Sequence, residues 1–136
     1  MEEKKIIRMA FLLLGILFIS SCGDSSDRLS DLLLTKDNNG QTIEINTDNE
    51  IVIELVSNPS TGYRWDLANP DGNFIYQEGE STFIENPDCS GLDGCGGIEK
   101  LTFRASEIGC GVISLVYHRA FKDEPYEQFS INVNVH

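Results

Sequence analysis

Apolar and polar residues alternate in short runs along the chain from residue 31 onward, and turn-forming residues separate these runs. A period of two is typical of β-strands that have one face on a core and the other in water. Glu44, Glu54 and Glu99 alternate with Ile or Leu in such runs, so we expect all three on solvent-exposed faces of the sheets. The predicted strands cover residues 50–56, 63–67, 74–77, 81–84, 98–104, 112–118 and 128–135.

The segment 31–46, DLLLTKDNNGQTIEIN, predicts a short strand, an Asn-Asn-Gly turn and a second strand. No stretch after residue 36 has a convincing helical period. About seven short strands with polar turns between them favour an all-β fold, an immunoglobulin-like antiparallel β-sandwich. We assign this single domain to residues 31–136.

The residues before this domain have a different pattern. Lys4, Lys5 and Arg8 precede an apolar run at residues 9–19, MAFLLLGILFI. This run is too short to span a bilayer, and a basic flank followed by a short apolar run is typical of a secretory signal. We therefore predict a signal peptide at residues 1–21.

The predicted signal peptide ends in ISSC, Ile19 to Cys22. Two small residues followed by Cys resemble the lipobox of bacterial lipoproteins, although Ile19 stands where Leu is more usual. The resemblance implies cleavage before Cys22, a lipid on its thiol and membrane anchoring on the periplasmic face or the cell surface. Residues 22–30 would then form a polar tether. The alternative is an ordinary secretory signal that happens to end near a Cys.

Charge limits the choice of partners. The formal net charge is −12, and cleavage before Cys22 would leave 7 of 10 basic and 20 of 22 acidic side chains, a charge of −13. Such a chain repels the phosphate backbone, so nucleic acid is excluded as a partner. An acidic surface favours solubility and basic partners.

Cysteine spacing predicts one disulfide. An exported domain can form one, and Cys89, Cys95 and Cys110 remain after Cys22. Cys89 and Cys95 share a Gly-rich loop, whereas a strand-like run would hold Cys110 about 25 Å from Cys95. Because a disulfide needs Cα atoms within about 7 Å, we expect a Cys89–Cys95 pair and a free, buried Cys110.

Catalytic and metal chemistry have little support. The chain has two His residues, and His118 would be separated from Cys110 by extended chain, so Cys–His catalysis is disfavoured. The cysteines and His118 lack a zinc spacing, and Asp88 and Asp93 lack a calcium-loop spacing. We predict no enzyme, no metal and no cofactor.

Three loops remain distinctive: NPSTGY at 58–63, GCGG at 94–97 and YHRAF at 117–121. Alternate turns of a β-sandwich lie at the same end, as the antigen-binding loops of antibody domains do. We therefore expect these three loops side by side at one end of the domain, exposed to a partner.

The three motifs resemble those of chagasin-type inhibitors of papain-like cysteine peptidases: Asn-Pro-Thr-Thr-Gly-Tyr, Gly-x-Gly-Gly and Arg-Pro-Trp, in that order. The matching residues are Asn58, Pro59, Thr61, Gly62 and Tyr63, then Gly94, Gly96 and Gly97, then Arg119. The departures are Ser60 for Thr, Ala120 for Pro and Phe121 for Trp. Trp65 matches a Trp commonly found two residues after the motif's aromatic.

The resemblance implies a monomeric domain that inhibits a papain-like cysteine peptidase reversibly and non-covalently, by plugging its cleft with the three loops. Pro59 would lower the entropy lost on binding, and Gly62 would let the backbone approach the enzyme closely. Gly96 and Gly97 would expose backbone for strand-like pairing with the enzyme. Phe121 would contact a shelf beside the cleft.

Structural roles are the alternative for the same residues. The first loop is then only a turn, Phe121 packs in the core, and Arg119 pairs with Asp123 or Glu124. We expect Trp65 in the core, whereas Tyr63 fits either role. The alternative function is a surface-anchored, immunoglobulin-like module that binds another protein or a glycan through the same loops.

Overall fold

The computed structural model describes residues 31–68, 74–89, 91, 93–120, 122 and 124–136. The predicted signal peptide and tether, with Cys22, lie outside these residues, as do Phe121 and Asp123. Among the described residues, no helix is long and apolar enough to cross a membrane.

The described part of the chain contains nine β-strands and three single turns of 3-10 helix. The strands are β1 (Leu32–Leu34), β2 (Thr42–Ile45), β3 (Glu50–Ser57), β4 (Tyr63–Leu67), β5 (Ile75–Gln77), β6 (Thr82–Glu85), β7 (Gly97–Ala105), β8 (Gly109–Arg119) and β9 (Glu127–Val135). The 3-10 turns are Lys36–Asn38, Pro59–Thr61 and Pro87–Cys89. Every predicted strand is therefore confirmed, with ends shifted by up to three residues.

The strands form two sheets that pack as a sandwich, which confirms the predicted fold class. Sheet 1 has the order β1-β3-β7-β5, and β6 also pairs with β7. Sheet 2 has the order β2-β9-β8-β4. The sheets are mixed rather than wholly antiparallel, because β1 runs parallel to β3 and β2 runs parallel to β9.

The segment 31–46 contains both predicted strands, but they join different sheets and do not pair with each other. Between them the 3-10 turn Lys36–Asn38 redirects the chain, and Gly40 has the left-handed φ of 78°. The Gly40 N–H then donates to the Ser130 carbonyl over 2.7 Å, which attaches the turn to β9. The N-terminal strands thus close one edge of each sheet.

The core lies between the sheets and is built from alternate strand positions. Sheet 1 contributes Ile51, Ile53, Leu101 and Phe103, and sheet 2 contributes Leu115, Phe129, Ile131 and Val133, all at most 2% exposed. Trp65 is 4% exposed, which confirms its predicted place in the core. This packed interior holds the strand ends, and so the loops between them, in fixed positions.

The cysteines follow the predicted pairing but not the predicted burial. Cys89 and Cys95 form a disulfide with their Cα atoms 5.8 Å apart. Cys110 is free, as predicted, but it is exposed, so the expectation of a buried residue is wrong. The reason is that β8 begins at Gly109, so the side chain of Cys110 lies on the same outer face of the strand as that of the exposed Val112.

Candidate functional site

The first loop is a short rigid turn between β3 and β4. Pro59 begins the 3-10 turn, and Gly62 ends it with a φ of 79°, a left-handed conformation that favours glycine. The Thr61 hydroxyl donates to the Asn58 carbonyl over 2.6 Å, and the Ser60 hydroxyl donates to Asn58 Oδ1 over 2.6 Å. Pro59 to Gly62 are all exposed. The turn is therefore held from within while its outer surface faces solvent.

The second loop lies against the first, as predicted. Asn58 Nδ2 donates to the Gly94 carbonyl over 3.0 Å. A Cβ added to Gly96 would lie 3.2 Å from the Ser57 carbonyl oxygen, so only a residue without a side chain fits easily here. The Cys89–Cys95 disulfide closes the same loop. Asn58 thus joins the first two motifs.

Gly97 has a different role from the one expected. It lies in β7, between Ser57 of β3 and Glu85 of β6, so both edges of its backbone have neighbouring strands. The prediction that Gly97 exposes backbone for pairing with an enzyme is therefore wrong. Its absent side chain serves close strand packing, because a Cβ there would lie 2.1 Å from the Ile84 carbonyl oxygen.

The third loop is joined to the first by a side chain. Arg119 Nε donates to the Thr61 carbonyl over 3.0 Å, and a second guanidinium N–H points to the same oxygen. The Arg119 guanidinium also lies over the Tyr63 ring, 5.0 Å from its centroid. Ala120, the next residue, is exposed. Arg119 therefore holds the first loop against the end of β8.

These contacts bring most of the predicted residues to one end of the sandwich. We call this surface the loop end and define it as residues 58–62, 94–97 and 119–120. The predicted clustering of the three loops is confirmed for these residues. Phe121 lies outside the described residues, so its predicted contact stays a prediction.

A cluster of aromatic rings lies beneath the loop end. Tyr63 stacks on Tyr117 with ring centroids 5.3 Å apart, and the Trp65 ring lies 5.1 Å from that of Tyr117. The Tyr117 hydroxyl accepts a hydrogen bond from the Asn58 N–H over 2.8 Å. Tyr126 packs edge-on against Tyr63 at 5.8 Å and stays 76% exposed. Tyr126 was not predicted as part of the site, although a tyrosine beside the third motif was a visible signal.

Glu99 is buried at the base of the first loop, so its predicted place on a wet face is wrong. It is 4% exposed, and its side chain lies on the same inner face of β7 as that of Leu101. Its carboxylate accepts hydrogen bonds from the Ser57 hydroxyl at 2.8 Å, the Trp65 N–H at 3.2 Å and the Ser81 hydroxyl at 2.7 Å. These donors come from three separate segments and explain how a carboxylate can be buried here.

A charged group lies on the outer face of sheet 2 near the loop end. Asp66 Oδ2 lies 2.7 Å from His118 Nε2 and 2.8 Å from Arg64 Nε. Burial raises the pKa of the Asp66 carboxyl, but the hydrogen bonds from Arg64 and His118 outweigh it, so the net pKa is lowered. His118 is thus bonded to Asp66. Among the described residues, no three His, Cys, Asp or Glu side chains form a group that could hold a metal ion.

The fold and the site together define a class of protein: a rigid β-sandwich that presents linked loops at one end for binding. A family model described as chagasin family peptidase inhibitor I42 matches residues 44–133. This match covers more than half of the chain, which therefore belongs to the chagasin family of peptidase inhibitors. The protein is accordingly an inhibitor and not an enzyme.

Individual relatives agree with this assignment. Amoebiasin-1 of Entamoeba histolytica is 33% identical over 103 residues, which is 75% of this chain and 97% of that protein. Chagasin of Trypanosoma cruzi is 31% identical over 104 residues, 72% of this chain and 92% of that protein. The crystal structure of the cysteine protease inhibitor EhICP2 from Entamoeba histolytica matches with a TM-score of 0.68 and 27% identity, over 77% of this chain and 95% of that one.

Proposed function

We propose that this protein inhibits papain-like cysteine peptidases reversibly and non-covalently, by inserting the loop end into the active-site cleft. One observation carries the proposal: Asn58 and Arg119 hydrogen-bond the three motif loops into one exposed surface. Family membership and a structural relative described as a cysteine protease inhibitor support the choice of target.

Preorganisation would supply much of the affinity. The first loop is already closed by Pro59, Gly62 and the hydrogen bonds of Asn58, so little conformational entropy remains to be lost on binding. The aromatic cluster and the disulfide hold the neighbouring loops in the same way. Binding then requires little rearrangement of the first loop.

The loop tip is also a poor substrate, for a geometric reason. Thr61 lies in a 3-10 turn rather than in an extended conformation, and its carbonyl oxygen already accepts N–H groups of Arg119. Its hydroxyl is bonded to Asn58. A peptidase would have to break these bonds before attacking the carbonyl carbon, so the loop would occupy the cleft without being cleaved.

Titration of papain with the purified protein tests the proposal. We expect activity to fall to zero near an equimolar ratio, to return on extensive dilution, and to leave both proteins at their original masses. A titration without inhibition would contradict the proposed function and favour a loop-based binding module for another ligand. A covalent adduct, or stoichiometric cleavage of residues 58–62, would contradict the mechanism.

We also propose that the protein is exported and anchored to a membrane by a lipid on Cys22. The support is the basic and apolar pattern before ISSC, together with the disulfide, since disulfides persist mainly outside the cytoplasm. The inhibitor would then protect an extracytoplasmic surface from peptidases.

A further inference from the structure

The outer face of sheet 1 carries an aliphatic row beside the loop end. The strand register places Val56 of β3 opposite Ile98 of β7, and Ile98 opposite Ile84 of β6. Val56 is 71% exposed and Ile84 is 51% exposed. Exposed aliphatic side chains at neighbouring cross-strand positions form an apolar patch, and such patches mark interaction sites.

The next row of side chains on this face is polar. One row further from the loops, Glu54 pairs with Lys100, and Lys100 pairs with Thr82. Near the opposite end of the sheet, Arg104 forms a salt bridge with Glu50 over 2.8 Å. This polar row separates the aliphatic row beside the loops from the other aliphatic pair on this face, Leu33 and Val52.

All three residues of the row line a groove. Ile84, Glu85, Asn86, Pro87 and Cys89 border it opposite Val56, and Gly96, Gly97 and Ile98 lie between them. The 3-10 turn Pro87–Cys89 and the Cys89–Cys95 disulfide hold the outer wall in place. We call this depression the aliphatic groove. It is a shaped feature that exists before any partner arrives.

The aliphatic groove is continuous with the loop end. Gly96 and Gly97 belong to both, and Val56 lies two positions before Asn58, about 7 Å along the strand. A protein interface of standard size covers about 800 Å² on each partner, a disc of roughly 16 Å radius. An enzyme that covers the loops therefore also reaches Val56 and Ile84.

We propose that the aliphatic groove is a second contact area of the inhibitor, which takes apolar side chains from the wall of the peptidase beside its active-site cleft. The proposal rests on the proposed function. A cleft has walls as well as a floor, so an inhibitor that fills it brings its flank against a wall. A second copy of this chain is a weaker fit, because three aliphatic residues fall well short of the roughly 1,200 Å² that a stable interface buries.

The test compares three forms of the full chain. The double variant Val56→Thr and Ile84→Thr removes aliphatic surface but keeps β-branched side chains, which suit a strand. Leu33→Thr is the matched control, because Leu33 lies in the same sheet opposite Val52, is 54% exposed and lies outside the groove. We expect papain to dissociate about tenfold faster from the double variant, with little change in association rate. Leu33→Thr should leave both rates unchanged.

Each contrary result leads to a different conclusion. Equal dissociation rates for the double variant and the unmutated protein would overturn the groove proposal and leave the proposed function standing. An unmutated protein that does not inhibit papain would overturn both. A concentration-dependent dimer in analytical ultracentrifugation that the double variant abolishes would assign the groove to self-association and overturn the peptidase contact.

Hydrogen exchange keeps the test decisive if the double variant loses stability. In the unmutated complex with papain, we expect the amides of residues 84–86 to gain protection as the loop amides do, whereas residues 32–34 should be unchanged. Protection of the loop amides without protection of the amides of residues 84–86 would overturn the proposal.

Discussion

The guanidinium of Arg119 donates a hydrogen bond to the carbonyl oxygen of Thr61, although 58 positions separate the two residues in sequence. This contact joins the first and third motifs, and the same guanidinium lies over Tyr63. Arg119 therefore acts on the first loop rather than only on its own.

Replacing Arg119 with Lys should weaken inhibition by roughly tenfold, because an ammonium keeps the charge but loses both the planar fork and the stacking on Tyr63. The inhibition constant for papain measures the effect. Arg104→Lys is the matched control, since Arg104 contacts Glu50 and Glu78. Equal inhibition by the two variants would show that Arg119 does not position the loop.

Thr61→Glu tests whether the turn is functional. Thr61 is exposed, so the change should leave the melting temperature nearly unaltered, while a bulky charge at the centre of the interface should weaken binding by at least about 2 kcal/mol, some 30-fold. The control is Thr42→Glu, at an exposed position in β2. If stability and inhibition fall together, the segment is only a structural turn.

Glu99→Leu tests the buried carboxylate. The substitution leaves the Ser57 and Ser81 hydroxyls and the Trp65 N–H without their acceptor, so the free energy of unfolding should fall by about 2 to 4 kcal/mol. Urea unfolding measures it. Glu54→Leu, on the outer face, should change stability by no more than about 0.5 kcal/mol. A Glu99 variant as stable as the control would contradict the structural role of these hydrogen bonds.

Asp66 should contribute to the acid limb of the stability profile. Its pKa in the folded protein lies below the usual 3.8, because Arg64 and His118 stabilise the carboxylate more than burial opposes it. The contribution is complete above the unfolded pKa and is lost as the pH falls through the folded pKa. The melting temperature, measured over a rough working range from pH 6 to pH 2, should therefore fall less steeply with decreasing pH for Asp66→Asn than for the unmutated protein. Parallel profiles would contradict this assignment.

Cys22→Ala tests the proposed anchor. In the native host, the variant should accumulate as precursor or leave the membrane fraction, and the mature protein should lose the mass of the lipid. Fractionation and intact mass spectrometry measure both. The control is Cys110→Ala, which should stay with the membrane. Unchanged attachment and mass in the Cys22 variant would contradict lipidation.

The sequence predicts strands and loops well because alternation and turn residues are local signals. Trp65 in the core and the Cys89–Cys95 disulfide follow from the same reasoning. Glu99 could not be predicted in this way, since its donors come from Ser57, Trp65 and Ser81 and only the folded chain brings them together. A glutamate beside aliphatic residues has the pattern of a wet strand face whether or not such donors exist.

Two other differences between the predicted and the observed fold have equally local causes. Alternation identifies β1 and β2 as strands but does not specify their partners, so their parallel pairing with β3 and β9 was not visible. For Cys110, starting β8 three residues too late moved the cysteine from an exposed strand position into a supposed buried turn. In the candidate site, motif spacing predicted which loops meet, but not that Gly97 is enclosed between two strands.

The parallel pairing of β1 with β3 also sets the direction in which the domain points. Leu32 lies opposite Ile51, seven positions before Asn58, which is about 23 Å along β3 from the loop end. The chain therefore enters the sandwich at the pole opposite the loops. If Cys22 carries a lipid, the bilayer lies behind that pole, and the three loops face outward, where an approaching peptidase meets them first.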